Sequence, residues 1–368
     1  MTDAALKELL EDPELRAVAE EIGLTDAATP QLGWIPSITL EMGAGFKENV
    51  ALSATRPQSS PALRGMAEVM LLRPPRDGWE SYVFGSWEDY RYSSGAVDRE
   101  QFGMLAAETR KQTASGWRFT ANGRYIHLNQ VVDLSTDFVT PVIFVIRGDN
   151  IGGHLAARRE LLRDLHLELK VEVSRQDFAS TLDDYWEMAP RWETGWSVGR
   201  HEIAAAYQFI DRKHDRRAER DRAGGVIPGT ELEFNNHVME LEWRWRLGNK
   251  ARWRLGSNFR RELRFDNGGG FFRYRRWRVG EKLRWEKAAW TAAVEIAWST
   301  FQYPNQPPLA GSSARRWRDS LHLEIRVDRR LGRFWSVYGQ FQFEQSRSNQ
   351  PGTTYDSSLV HGGLVFTY

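Results

Sequence analysis

The sequence predicts an all-β chain: a closed antiparallel transmembrane β-barrel of about 16 strands, preceded by a short N-terminal helical segment. Three observations carry this prediction. From Trp34 onward, apolar and polar residues alternate with a period of two in runs of roughly ten. The connections between runs alternate between short and long. Tryptophan collects beside the short ones. A sandwich or a propeller has no reason to alternate loop lengths in this way.

Bulk composition agrees with this class without requiring it. The chain has 368 residues, and its 50 basic side chains are nearly balanced by 49 acidic ones, so net charge points to no particular partner. With no cysteine, disulfides and thiol or Cys-metal chemistry are excluded. Mean hydropathy is −0.56 and no run of about 18 apolar residues occurs, so no transmembrane helix is predicted. A membrane barrel has this hydropathy too, because only alternate residues meet lipid. The first residues, Met1-Thr-Asp-Ala-Ala-Leu-Lys-Glu8, show no basic stretch leading into an apolar core, so no secretory leader is expected in them.

Residues 1–30 form the first predicted unit. Leu6, Leu9, Leu10, Val18 and Ile22 recur at helical spacing, with Asp3 as a cap, Pro13 as a break and Gly23 as a stop. This amphipathic segment is acidic. It is read as an exposed periplasmic helix or the stump of a longer domain, with a plug folded into a basic lumen as the alternative.

Residues 34–368 form the second unit, the barrel. Its predicted strands are 36–46, 62–72, 79–92, 100–111, 117–129, 153–162, 165–173, 182–192, 196–209, 236–247, 251–264, 271–285, 290–299, 321–327, 335–344 and 355–368. The clearest is Val238-Met-Glu-Leu-Glu-Trp-Arg-Trp-Arg-Leu247, with Trp and Leu on one face and bare charge on the other. Short turns are placed at 73–78, 112–116, 163–164, 193–195, 248–250, 286–287 and 328–333. Trp79, Trp117, Trp196, Trp253, Trp290 and Trp335 each follow a short turn, and Trp243, Trp245 and Trp285 precede one. Nine tryptophans at one end read as an aromatic girdle at a membrane interface.

The chain closes with Gly362-Gly-Leu-Val-Phe-Thr-Tyr368, in which Leu364, Phe366 and Tyr368 stand at alternate positions. This ending resembles the closing strand of Gram-negative outer-membrane β-barrel proteins, porin-like in general pattern, with Tyr in place of the commoner terminal Phe. The resemblance implies location in the bacterial outer membrane, an assembly signal at these three residues and contact with the barrel-assembly machinery. It names no substrate.

Alternation assigns a charged set to the lumen. Glu240, Glu242, Arg244, Arg246, Arg252, Arg254, Arg276, Arg278 and Arg284 are predicted to line it, joined by Glu295, Glu324 and Arg326. Between residues 231 and 285 bases clearly outnumber acids. Guanidinium stays charged and pairs with carboxylate or phosphate, so such a wall favours anions. The same arginines also suit a structural ladder paired with Glu240 and Glu242. Glu281 breaks the pattern: parity puts it on the outside with Val279 and Leu283, which calls for a rim position, a bulge at Gly280 or a shifted register.

Enzyme signatures are absent, and no enzymatic activity or cofactor is expected. No G-x-S-x-G, P-loop, G-x-G-x-x-G or H-E-x-x-H occurs, and the eight His show no metal-ligand spacing. A Ser/His pair near His237, as in an outer-membrane phospholipase, is the enzymatic alternative. The loop Asp266-Asn-Gly-Gly-Gly270 lacks calcium-loop spacing. Arg and Trp alternate onto opposite faces, so no mixed nucleic-acid surface is expected. The predicted function is a passive channel for small polar solutes, with anions favoured by the arginine wall. The alternatives are the pore of a secretion or surface-assembly system, and an occluded structural or adhesive barrel.

Overall fold

The computed structural model describes residues 33–93, 97–133, 143–162, 164–179, 182–248, 252–309 and 311–368. The predicted helical segment 1–30 lies outside the described residues. The strands are β1 Ile35–Glu48, β2 Ser60–Arg76, β3 Trp79–Tyr92, β4 Arg99–Gln112, β5 Trp117–Asp133 and β6 Ile143–Leu162. They continue with β7 Leu165–Phe178, β8 Tyr185–Val198, β9 His201–His214, β10 Glu233–Leu247 and β11 Trp253–Asp266. The last are β12 Tyr274–Lys287, β13 Trp290–Tyr303, β14 Arg316–Arg330, β15 Trp335–Ser348 and β16 Tyr355–Thr367. Each strand pairs antiparallel with its sequence neighbours, and β1 pairs with β16 to close the barrel.

Closure satisfies the backbone. An open sheet edge in hydrocarbon would leave N–H and C=O groups without partners, at several kcal/mol each. Here the last residue takes part in the seam: Tyr368 N donates to Ile38 O and Ile38 N donates to Tyr368 O, both at 2.9 Å. Leu364 and Phe366 sit opposite Met42 and Leu40, so all four side chains share the outer face.

Parity is continuous around the wall except beside two short turns, where the register shifts between Arg73 and Arg76 and between Glu160 and Leu162. Met42, Leu63, Leu105, Leu155, Met239, Leu241 and Leu364 point outward and are well exposed, which is what a lipid-facing surface requires. Short turns join β2–β3, β4–β5 and the later odd-numbered partners at one end. Longer loops such as 49–59, 215–232 and 304–315 gather at the other. At the first short turn Asp77 and Gly78 both have positive φ (54° and 75°), the pair of conformations that matches the twist of a tight hairpin.

Several boundaries differ from the sequence reading, and three of the differences have a local physical cause. The turn expected at 193–195 lies at 199–200, and β8 runs through to Val198. Gly195 is a strand residue whose missing Cβ makes room for the His166 ring; it is not a turn glycine. Trp196 therefore precedes its turn. Strand β6 begins at Ile143 rather than 153, because pairing with β5 continues to Asp133↔Ile143 beyond the part of the wall where apolar residues alternate. Strand β12 begins at Tyr274, because Phe271 and Phe272 are buried in the preceding loop against Leu232 and Phe234.

Candidate functional site

The inner wall carries the charged set. In β10 Glu240, Glu242, Arg244 and Arg246 face inward, and the register extends their face across the neighbouring strands. Arg246 sits opposite Arg254, and Arg254 opposite Arg284. Glu295 sits opposite Glu324, and Arg326 lies two residues along from Glu324 on the same face. Arg276 and Arg278 complete the inward set of β12. Arg252 is the exception: it precedes β11, in the turn, where its carbonyl accepts a hydrogen bond from Glu286 N at 2.9 Å.

Two ion networks organise this wall. In the first, Glu240 accepts from Arg191 on β8 and from Arg260 Nη1 on β11 at 3.1 Å. Arg260 continues to Glu262 at 3.3 Å, and Tyr274 Oη donates to Glu262 at 2.6 Å. Arg260 and Glu262 were absent from the sequence-predicted set. Unbroken parity from Arg254 places both inside, and the Arg260-Arg261 pair obscures it by putting identical residues on opposite faces. Arg246 pairs with Glu202 at 2.5 Å and Arg284 with Glu286 at 2.7 Å. Arg254 and Arg278 have no acidic partner among the described residues.

The second network straddles the closing seam. Glu41 on β1 is 5% exposed and accepts from Arg64 on β2 and from Arg326 on β14, the latter at 2.7 Å. Arg64 Nε also donates to Glu88 at 2.6 Å. Tyr338 lies along the wall beneath them, with the Arg326 guanidinium 4.5 Å from its ring centre. Gly43 makes that possible, since a Cβ there would meet the Tyr338 hydroxyl.

Among the described residues, two hollows on the inner face stand out. A recess of about 450 Å³ lies over Gly256, Asn258 and Gly280, where side chains are short, and is bounded by Arg244, Arg260, Arg278 and Glu295. A cavity of about 290 Å³ lies on the other side, among Arg64, Glu88, Tyr90, Glu100, His322 and Gln342. Toward the long-loop end the inner face of β10 to β13 is filled. Arg264 stacks on Phe234 and Tyr274 at 4.6 and 4.5 Å, and Arg276 on Phe301 at 4.8 Å. Arginine and aromatic residues therefore do share one surface here, contrary to the alternation expected from Arg and Trp. The aromatics involved are Phe and Tyr on inward positions.

The nine girdle tryptophans all take outward positions at the short-turn end. Trp253 and Trp285 sit opposite each other, as do Trp335 and Phe366. Glu281 also faces outward. Its register is unbroken, Ser257↔Glu281 between Asn258↔Gly280 and Gly256↔Lys282, so there is no bulge. It stands four residues from Trp285, inside the apolar band, and Ser257 Oγ donates to its carboxylate at 2.7 Å. His237 also faces outward, accepting from or donating to Tyr207 Oη at 2.7 Å and touching the Phe209 and Phe265 rings. Asp266 caps its own hairpin through Gly270 N and Phe272 N.

No family model matches the sequence, and no curated protein matches it. Solved structures do match in shape. Acinetobacter baumannii OccAB4 superposes with a TM-score of 0.51 at 8% identity, over 92% of this chain and 99% of that one. OmpT, an outer membrane protein of Vibrio cholerae in trimer form, gives 0.48 at 9% identity over 92% and 100%. An anion-selective porin from Comamonas acidovorans gives 0.44 at 8% over 91% and 100%. At these identities the likeness concerns fold alone, and the fold is that of the bacterial outer-membrane β-barrels.

Proposed function

We propose that the protein is an outer-membrane channel that passes small polar solutes by diffusion and favours anions. The observation that carries this reading is the pair Arg254 and Arg278, inward-facing cations with no acidic partner among the described residues, in a 16-strand barrel. A barrel of this strand number has a bore wide enough for water. In a low-dielectric enclosure an uncompensated guanidinium attracts anions, and it stays charged at any working pH. On the opposite side, β1 to β4 carry Glu41, Glu68, Glu80, Glu88, Glu100 and Glu108 inward against fewer bases. That supports a field running across the bore, which orients dipolar solutes as they pass. The stacked Arg264, Phe234 and Tyr274 narrow the bore near the long loops and set a size limit.

Planar-bilayer recording of the purified full chain tests this. Stepwise conductance with a reversal potential displaced toward the anion in a salt gradient is the expected result. A barrel that inserts without conducting overturns the channel reading in favour of an occluded structural barrel. Conductance that appears only with a co-purified exported protein favours a secretion pore.

A further inference from the structure

The cations on the outer face at the long-loop end fall into two groups. Most are neutralised locally. Arg91 and Arg99 both bind Asp89, Arg175 binds Asp177 and Asp215, Lys213 binds Glu233, and Arg347 binds Asp356. Arg261, Arg273 and Arg275 have no acidic partner among the described residues. They stand together on β11, β12 and the loop between them. Register places Arg261 opposite Trp277 and Arg275 opposite Leu263, so Arg261 and Arg275 are diagonal neighbours on one face. The Arg261 guanidinium lies 4.7 Å from the Trp277 ring centre and Arg273 4.7 Å from Phe265. The aromatic rings hold the guanidinium planes against the wall. Arg261 Nε is buried with no hydrogen-bond partner among the described residues.

Height matters as much as charge. Arg275 is ten residues along β12 from the girdle residue Trp285. At about 3.4 Å per residue and a tilt of roughly 40°, that separation is about 26 Å along the membrane normal. The apolar band of such a barrel is about 25 Å tall. Arg275 and Arg273 thus stand at the far interface, with Arg261 just inside it, where lipid headgroups begin. Three lipid-facing guanidiniums with no acidic partner among the described residues present a cationic cluster at headgroup depth to an anion from outside the chain.

We propose that Arg261, Arg273 and Arg275 form a binding site for the phosphate headgroup of a phosphomonoester lipid in the leaflet at the long-loop side. Guanidinium pairs bidentately with phosphate oxygens, and the dianionic monoester matches a cluster better than a zwitterionic headgroup does. The lipid's chains then lie along Trp277, Leu263 and Phe265.

The test rests on the membrane reading and separates the two. Full-length protein is reconstituted into phosphatidylcholine vesicles and floated, then titrated in detergent with phosphatidic acid under native mass spectrometry. Flotation followed by saturable phosphatidic acid adducts is expected. The triple change Arg261→Gln, Arg273→Gln, Arg275→Gln should weaken them by about tenfold or more. Arg275→Gln alone, at a strand end where folding is insensitive, should weaken them measurably. The paired control Arg347→Gln should leave them unchanged, and millimolar inorganic phosphate should not compete. Flotation without any preference for phosphatidic acid over phosphatidylcholine overturns the proposal alone. Full competition by inorganic phosphate overturns the lipid assignment. Failure to float overturns the membrane reading and this proposal with it.

Discussion

Arg326 on β14 reaches past β15 and β16 to place its Nη2 2.7 Å from Glu41 Oε1 on β1. This contact ties the two ends of the chain across the seam where the barrel closes. Arg64 holds the same carboxylate from the other side. Removing one member of a buried network leaves its partners charged and uncompensated, which costs about 3–5 kcal/mol. Glu41→Gln should therefore lower the unfolding free energy by about 3 kcal/mol in urea titrations of the detergent-folded protein. Arg326→Met should cost less, because Arg64 still satisfies the carboxylate. Equal stability of Glu41→Gln and the parent would show that the seam is held by its backbone ladder alone.

Arg254 and Arg278 should set charge preference. The double change Arg254→Glu, Arg278→Glu is expected to lower the anion-to-cation permeability ratio by about threefold or more, read from the reversal potential. Arg246→Gln, whose parent side chain is already paired with Glu202, should do much less.

Glu281 should be a destabilising residue. An acid on the lipid face carries a desolvation cost that the single bond from Ser257 only partly offsets. Glu281→Leu is expected to raise stability in phospholipid bilayers by about 1 kcal/mol. A loss of stability instead would mean that a neighbouring molecule covers this carboxylate in the membrane.

Removal of Tyr368 should impair closure. The residue supplies two reciprocal backbone bonds to Ile38 and a ring contact with Phe334. The shortened chain is expected to reach the folded, protease-resistant form several times more slowly in vesicles. Tyr368→Phe keeps both and should fold at the parental rate.

The 215–232 loop should loosen in acid. Arg175 donates to both carboxylate oxygens of Asp215, at 2.7 and 2.6 Å, and holds its carboxyl below the usual Asp range. A group whose folded value lies below its unfolded one contributes fully above the unfolded value, about 3.9, and loses that contribution as pH falls toward the lowered value. Hydrogen exchange across this loop should therefore be flat from pH 7 to about 5, after correction for intrinsic rates, and rise below about 4. In Arg175→Gln the protection should already be reduced at neutral pH.

The sequence by itself determined the barrel, the strand number and the face of nearly every strand residue. Alternation is a local property, and period two puts Trp243 and Arg244 on opposite sides whatever the rest of the chain does. Loop-length alternation marked the two ends in the same local way. Tertiary structure decided what alternation cannot express. It placed Gly195 in a strand because a ring from β7 fills the space above it, and it extended β6 by pairing with β5 rather than by any pattern of its own. It brought Glu41 and Arg326 together from opposite ends of the chain. It also separated paired arginines from free ones, because pairing depends on which acid lies within a few ångströms across two or three strands. Arg246 and Arg254 are alike in sequence, yet among the described residues only Arg246 has a carboxylate beside it.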